Sequence, residues 1–130
     1  MPKIPVDECP AGPAMDAAVA ETLGFETKWF GYPNGSKILL CLVGKIASKH
    51  DGWTEQDDWR SVPPYSTDIA AAWGLAERCR HSGFGVGWSE DWGAPYCRMG
   101  DTYEYGETIP LAICRVFLKA NGVEFVEVPE

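Results

Sequence analysis

The side chains able to do covalent or acid–base chemistry in this sequence are few and widely spaced. Cysteines stand at Cys9, Cys41, Cys79, Cys97 and Cys114, and the histidines are His50 and His81. No Cys-x-x-Cys pair occurs. A structural zinc centre needs about four ligands at short paired spacings, so no metal and no cofactor is expected. The adjacent acids Asp57-Asp58 and Glu90-Asp91 lie in polar stretches. Loop neighbours of that kind point apart into water rather than share a proton. A cysteine, a histidine and an acid can be drawn from almost any chain, and nothing marks such a set here as nucleophile and base. No catalytic residue is assigned, and the expectation is a protein that is not an enzyme.

The groups suited to holding a ligand are more telling. Trp53, Trp59, Trp88 and Trp92 lie in or beside stretches rich in Asp, Glu and Gly. Tryptophans in loops can stack on a planar ligand such as a nucleobase, or close over the core as a lid. Arg60, Arg78, Arg80, His81 and Arg98 are the basic groups that could face phosphate. Gly83, Gly85 and Gly87 alternate with Phe84, Val86 and Trp88. On a strand this leaves one face bare, open to a ligand or to a neighbouring aromatic ring. Tyr65, Ser66 and Thr67 precede a helical pattern, where they serve as anchor and cap or leave amides for an anion. The expected ligand site therefore joins Trp53, Trp59, Arg60, Tyr65, Ser66, Thr67, Gly85 and Gly87.

Those residues need elements to carry them. Pro13 can open a helix whose apolar positions run Met15, Ala18, Val19, Thr22 and Leu23, with Gly24 behind it. Lys37 to Val43 reads as a buried strand. Residues 44–64 read as a long loop with at most one helical turn, framed by Gly44, Gly52 and Pro63-Pro64. Ile69, Ala72, Trp73, Ala76 and Cys79 keep helical spacing, with Ser66 or Thr67 as the cap. Phe84–Trp88 and Tyr96–Met99 flank a turn and read as a hairpin. A last helix starts at Thr108, is apolar nearly all round, and stops at Asn121-Gly122. In that helix Arg115 reads as a side chain that snorkels to the surface. Val123 to Val128 reads as an edge strand. Residues 1–13, with four prolines and no periodicity, read as a flexible tail before a single domain, 14–130. The implied fold is α+β, with helices covering a small mixed or antiparallel sheet.

Charge and composition narrow the partners. The chain has 130 residues, 45% of them hydrophobic, and a formal net charge of −8. Acidity of that size repels duplex nucleic acid and anionic membranes at long range. The apolar run Ile38 to Val43 is far too short to span a bilayer, and Met1 to Pro13 has no signal-peptide pattern. Cys41, Cys79 and Cys114 fall in apolar segments, where reduced thiols suit the cytoplasm. The last helix and the edge strand together present more apolar and unpaired surface than one small domain covers, so a homo-oligomer is expected.

Two segments carry a family resemblance: Pro64-Tyr65-Ser66-Thr67-Asp68-Ile69-Ala70-Ala71-Ala72-Trp73 and Thr108-Ile109-Pro110-Leu111-Ala112-Ile113-Cys114-Arg115. With Asp16-Ala17-Ala18-Val19-Ala20-Glu21, they resemble the phage ABA sandwich domain family, small proteins encoded by phages and prophages. The resemblance spans roughly residues 14–120. It implies a three-layer helix–sheet–helix sandwich and a phage origin, and it supplies no active residues. Joined to the residue reading, it leads to one expected function and two alternatives. The first is a non-catalytic phage accessory protein, in the cytoplasm of the infected bacterium, that sequesters a small anionic ligand such as a nucleotide-derived signal of anti-phage defence. The second is a protein-interaction module that inhibits a host protein with acidic aromatic loops. The third is a small hydrolase.

Overall fold

The computed structural model describes residues 2–48, 54–78 and 83–128. Among the described residues three α-helices and eight strands form a mixed α+β fold: β1 (Lys3–Pro5), α1 (Pro13–Thr22), β2 (Thr27–Gly31), β3 (Lys37–Ser48), β4 (Thr54–Ser61), α2 (Ile69–Arg78), β5 (Phe84–Ser89), β6 (Ala94–Met99), β7 (Thr102–Tyr105), α3 (Ile109–Ala120) and β8 (Phe125–Glu127). The strands are antiparallel throughout and are divided among three sheets, β1-β8, β2-β3-β4 and β5-β6-β7.

The hub is α3. Leu111, Ile113, Cys114, Val116 and Leu118 are buried all round its circumference. Thr108 caps it, its hydroxyl accepting from the Leu111 N–H, and Pro110 fills a first-turn position where a missing N–H is harmless. The helix packs on β6 and β7, on α2, on α1 and on a short 3-10 turn at Val6–Glu8. Gly106, just before it, is needed for this closeness: a Cβ there would lie 2.7 Å from the Ala112 nitrogen.

The first thirteen residues, expected as a tail, are docked where the structure describes them. Ile4 is in register with Val126 across β1 and β8, and Val6 and Cys9 are fully buried in the main core. Arg115 fastens this segment. Its Nη2 donates to the Cys9 carbonyl at 2.9 Å and its Nη1 to the Tyr105 carbonyl at 2.9 Å. Lys119 adds ion pairs to Asp7 and Glu104. Arg115 is therefore a strut between three chain segments, not a snorkelling surface group. The same packing buries much of the surface on which the expectation of a homo-oligomer rested. The last helix is interior to the monomer, and the edge strand already has β1 for a partner.

The largest departure from the sequence reading lies between 44 and 64. Instead of a loop, β3 continues to Ser48 and pairs with β4 as a long two-stranded arm. A register shift between Leu42 and Gly44 marks a bulge, where Gly44 takes φ 151°. The sequence Thr54-Glu55-Gln56-Asp57-Asp58-Trp59-Arg60-Ser61 has little β propensity and no buried alternation. The arm's pairing with β3 makes it a strand, which composition could not reveal. Residues 25–36 likewise hold a strand, β2, that pairs with β3.

Candidate functional site

The residues expected to form one ligand site are dispersed. Trp53 lies outside the described residues, as do His50, Cys79, Arg80 and His81. Trp59 is on β4, half-buried, with the Lys28 ammonium 3.9 Å from its ring centroid. Arg60 is exposed and paired to Asp58 on its own strand at 3.1 Å. Tyr65 belongs to the core. Thr67 is exposed and makes one long contact, to the Pro64 carbonyl at 3.5 Å. The substantial contacts of β4 are with β3 and those of β5 are with β6, while α2 meets β5 through Trp73, whose ring lies 5.7 Å from that of Phe84.

Ser66 has a structural task that its sequence position hides. It does not cap α2; Asp68 does, its carboxylate accepting from the Ala70 N–H at 2.9 Å. Ser66 is fully buried against α1 instead. Its hydroxyl donates to Asp16 Oδ1 at 2.7 Å and its N–H to the same oxygen at 2.8 Å. The hydroxyl also accepts from the Gly12 N–H at 2.9 Å. Burial pushes the Asp16 carboxyl above its ordinary range, while the two Ser66 bonds pull it down. The Ser66 N–H and hydroxyl are thus spent on a buried clamp joining α1 to the turn before α2.

The glycine alternation lies on a sheet with two distinct faces. In the β5-β6-β7 sheet, Val86 is in register with Cys97, and Cys97 with Glu104. Cys97 and Met99 are buried on that face, which α3 covers. On the opposite face the register aligns Gly85, Arg98 and Tyr103 in one row and Gly87, Tyr96 and Tyr105 in the next. Tyr103 is 56% exposed, and Trp92, on the β5–β6 turn, is 72% exposed. The rings touch: Tyr96 lies 6.3 Å from Tyr103 and 6.4 Å from Tyr105, and Trp92 lies 5.6 Å from Tyr105, centroid to centroid. Gly87 is bare because the Tyr96 ring folds over it; a Cβ there would sit 2.8 Å from that ring. The result is a solvent-facing cluster of four tilted aromatic rings with Arg98 on the same sheet face. Trp92 and Arg98 were among the candidate groups in the sequence. The three tyrosines were not, because only the register of β6 and β7 puts them on one face.

Two clefts flank this architecture. One, of about 350 Å³, lies between α1, β2 and the β1-β8 ribbon, with Lys3, Glu21, Trp29, Phe125 and Glu127 around a floor that includes Ala14, Ala17 and Ala18. Glu21 there accepts from the Thr27 hydroxyl at 2.7 Å. The other, a shallow notch of about 390 Å³ at the end of the aromatic sheet, is lined by Trp88, Pro95, Tyr105, Glu107 and Arg115. Among the described residues no group of three His, Cys, Asp or Glu is placed to hold a metal ion. Among them, too, no helix is long and apolar enough to cross a membrane.

The fold and surface describe a small α+β domain organised around a buried helix, with one open aromatic sheet face. The chain belongs to the phage ABA sandwich domain family, whose model matches residues 18–116, from α1 into α3. No curated protein and no solved structure matches it.

Proposed function

We propose that this is a non-catalytic recognition protein and that the open face of β5-β7 is where it meets a protein partner. The observation that carries this reading is the platform of Trp92, Tyr96, Tyr103 and Tyr105. Tyrosine, tryptophan and arginine are the residue types that dominate binding energy at protein interfaces. Trp92, Tyr103 and Tyr105 stand exposed to solvent, whereas sites for small molecules are concave and bury most of their ligand. The test is co-purification from infected host cells with the parent and with Trp92→Ala/Tyr103→Ala. A host protein retained by the parent and lost with the double variant, at unchanged melting temperature, supports the reading. Equal retention by both removes it.

Sequestration of a small anionic, nucleotide-derived ligand keeps one specific support, the cleft beside α1. Its volume falls in the small-ligand range, and Lys3, Trp29 and Phe125 supply a cation and two rings. Glu21 and Glu127 work against an anion there, and the Lys28 ammonium is turned to Trp59. Calorimetric titration with mononucleotides and cyclic dinucleotides decides the matter, and absence of heat discards this reading. Both readings place the protein in the cytoplasm of an infected bacterium. Self-association, as a proposal, passes to the outer face of β2-β3-β4. Phe30, 47% exposed, shares that face with the partly exposed Ile38, Leu40 and Leu42. A single 14.3 kDa species in sedimentation at micromolar concentration would remove it.

A further inference from the structure

Resting on the reading of the β5-β7 face as a recognition surface, we infer that the partner's contact surface is basic, with Lys or Arg side chains laid on the rings. The charge around the platform carries this. Between Gly83 and Thr108 the sequence holds one basic residue, Arg98, against Glu90, Asp91, Asp101, Glu104 and Glu107. Glu104 is turned to the α3 side, where it pairs with Lys119. The other four acids are exposed, and they bracket the aromatic face at both ends. Glu90 and Asp91 share the β5–β6 turn with Trp92, Asp101 forms the β6–β7 turn beside Tyr103, and Glu107 follows Tyr105.

This pairing of rings and carboxylates suits one chemistry. An aromatic face attracts a cation through its quadrupole, and a nearby carboxylate then meets the charged head directly. An anionic partner would cross four carboxylates to reach a single guanidinium. Arg98 does not spoil the fit, because it lies over the bare Gly85, 4.0 Å from where a Cβ would be, at one side of the ring cluster. The net charge of −8 adds long-range attraction for a basic surface. The acids near the rings give that attraction a place to land.

The experiment uses the full chain and a short Lys/Arg/Gly peptide as the probe, with an Asp/Glu/Gly peptide as its counterpart, in calorimetric titration. The basic peptide is expected to bind and the acidic one not. The Trp92→Ala/Tyr103→Ala variant should lose about tenfold in affinity. A rim variant, Glu90→Gln/Asp91→Asn/Asp101→Asn/Glu107→Gln, should lose about as much. A distal variant with the same change of net charge, Glu26→Gln/Glu55→Gln/Asp57→Asn/Glu77→Gln, should stay within about twofold, since distant exposed charges are screened beyond about 8 Å at physiological salt. Equal losses in the rim and distal variants mean diffuse attraction and overturn the inference. So does self-association of the rim variant without peptide, which would make a second copy the occupant. If the ring variant loses its co-purifying protein while the basic peptide never binds, the recognition surface stands and the basic partner fails. If the ring variant keeps both the co-purifying protein and the peptide, both ideas fail.

Discussion

Ser66→Ala should weaken the fold and leave binding alone, because the hydroxyl works inside the protein. Two bonds are lost at once. The 2.7 Å bond to the Asp16 carboxylate is charge-assisted, the kind worth about 1.5–3 kcal/mol. The Gly12 N–H, which donates to the same hydroxyl at 2.9 Å, loses its acceptor, at a cost of about 1–3 kcal/mol if it stays buried. The Ser66 N–H still reaches Asp16, and the two losses share a centre, so they do not simply add. The expected cost is about 3 kcal/mol. At roughly 3–5 °C per kcal/mol for a chain of this size, that is a fall in melting temperature of roughly 10 °C. Thr67→Ala, one residue on and exposed, should change stability by less than about 0.5 kcal/mol. Urea unfolding of both variants, with Asp16→Asn and the Asp16→Asn/Ser66→Ala double variant to complete a cycle, measures the coupling. A Ser66→Ala variant as stable as Thr67→Ala, or a cycle with no coupling, would refute the assignment of Ser66 to a structural clamp.

Acid should treat Asp16 differently from an ordinary surface acid. Burial raises its folded pKa above the ordinary carboxyl range, so the native state holds the proton more tightly than the unfolded chain. Its ionised form is a penalty at neutral pH, and that penalty is relieved as pH falls through the raised folded value toward the unfolded one. The stability of the parent relative to Asp16→Asn should therefore rise between pH 7 and about pH 4 in urea melts, and a fall over that range would contradict the argument. Gly87→Ala must displace the Tyr96 ring and should cost about 1–2 kcal/mol, while Gly85→Ala meets only Arg98 at 4.0 Å and should be near neutral. Equal melting temperatures for the two would show that the Tyr96 ring does not rest on Gly87. Val6→Ala, in the segment first read as a tail, should cost about 2 kcal/mol by opening a cavity in the core; a surface-like change below about 0.5 kcal/mol would mean the segment is not docked.

The sequence by itself determined the parts whose signals are local. Pro13 and Gly24 bound α1, Thr108 and Asn121-Gly122 bound α3, and the turn at Ser89–Gly93 sets the β5-β6 hairpin, because caps, prolines and turn residues act through a few bonds of neighbouring backbone. The anchors at 64–73 and 108–115 sufficed for the family, and the alternating glycines marked the sheet face that carries the aromatic rings. Tertiary structure alone decided the rest. The 54–61 strand exists because β3 offers it a pairing edge, and no periodicity in Glu55-Gln56-Asp57-Asp58 announces that. The tail became core because Val6 and Cys9 found α3, and a short apolar residue among prolines carries no period to read. Ser66 looked like a cap because its type and place fit one; its true partner, Asp16, is fifty positions away in sequence. The three tyrosines share a face only through the β6-β7 register, and registry between strands is a long-range pairing that depends on which residues the core buries.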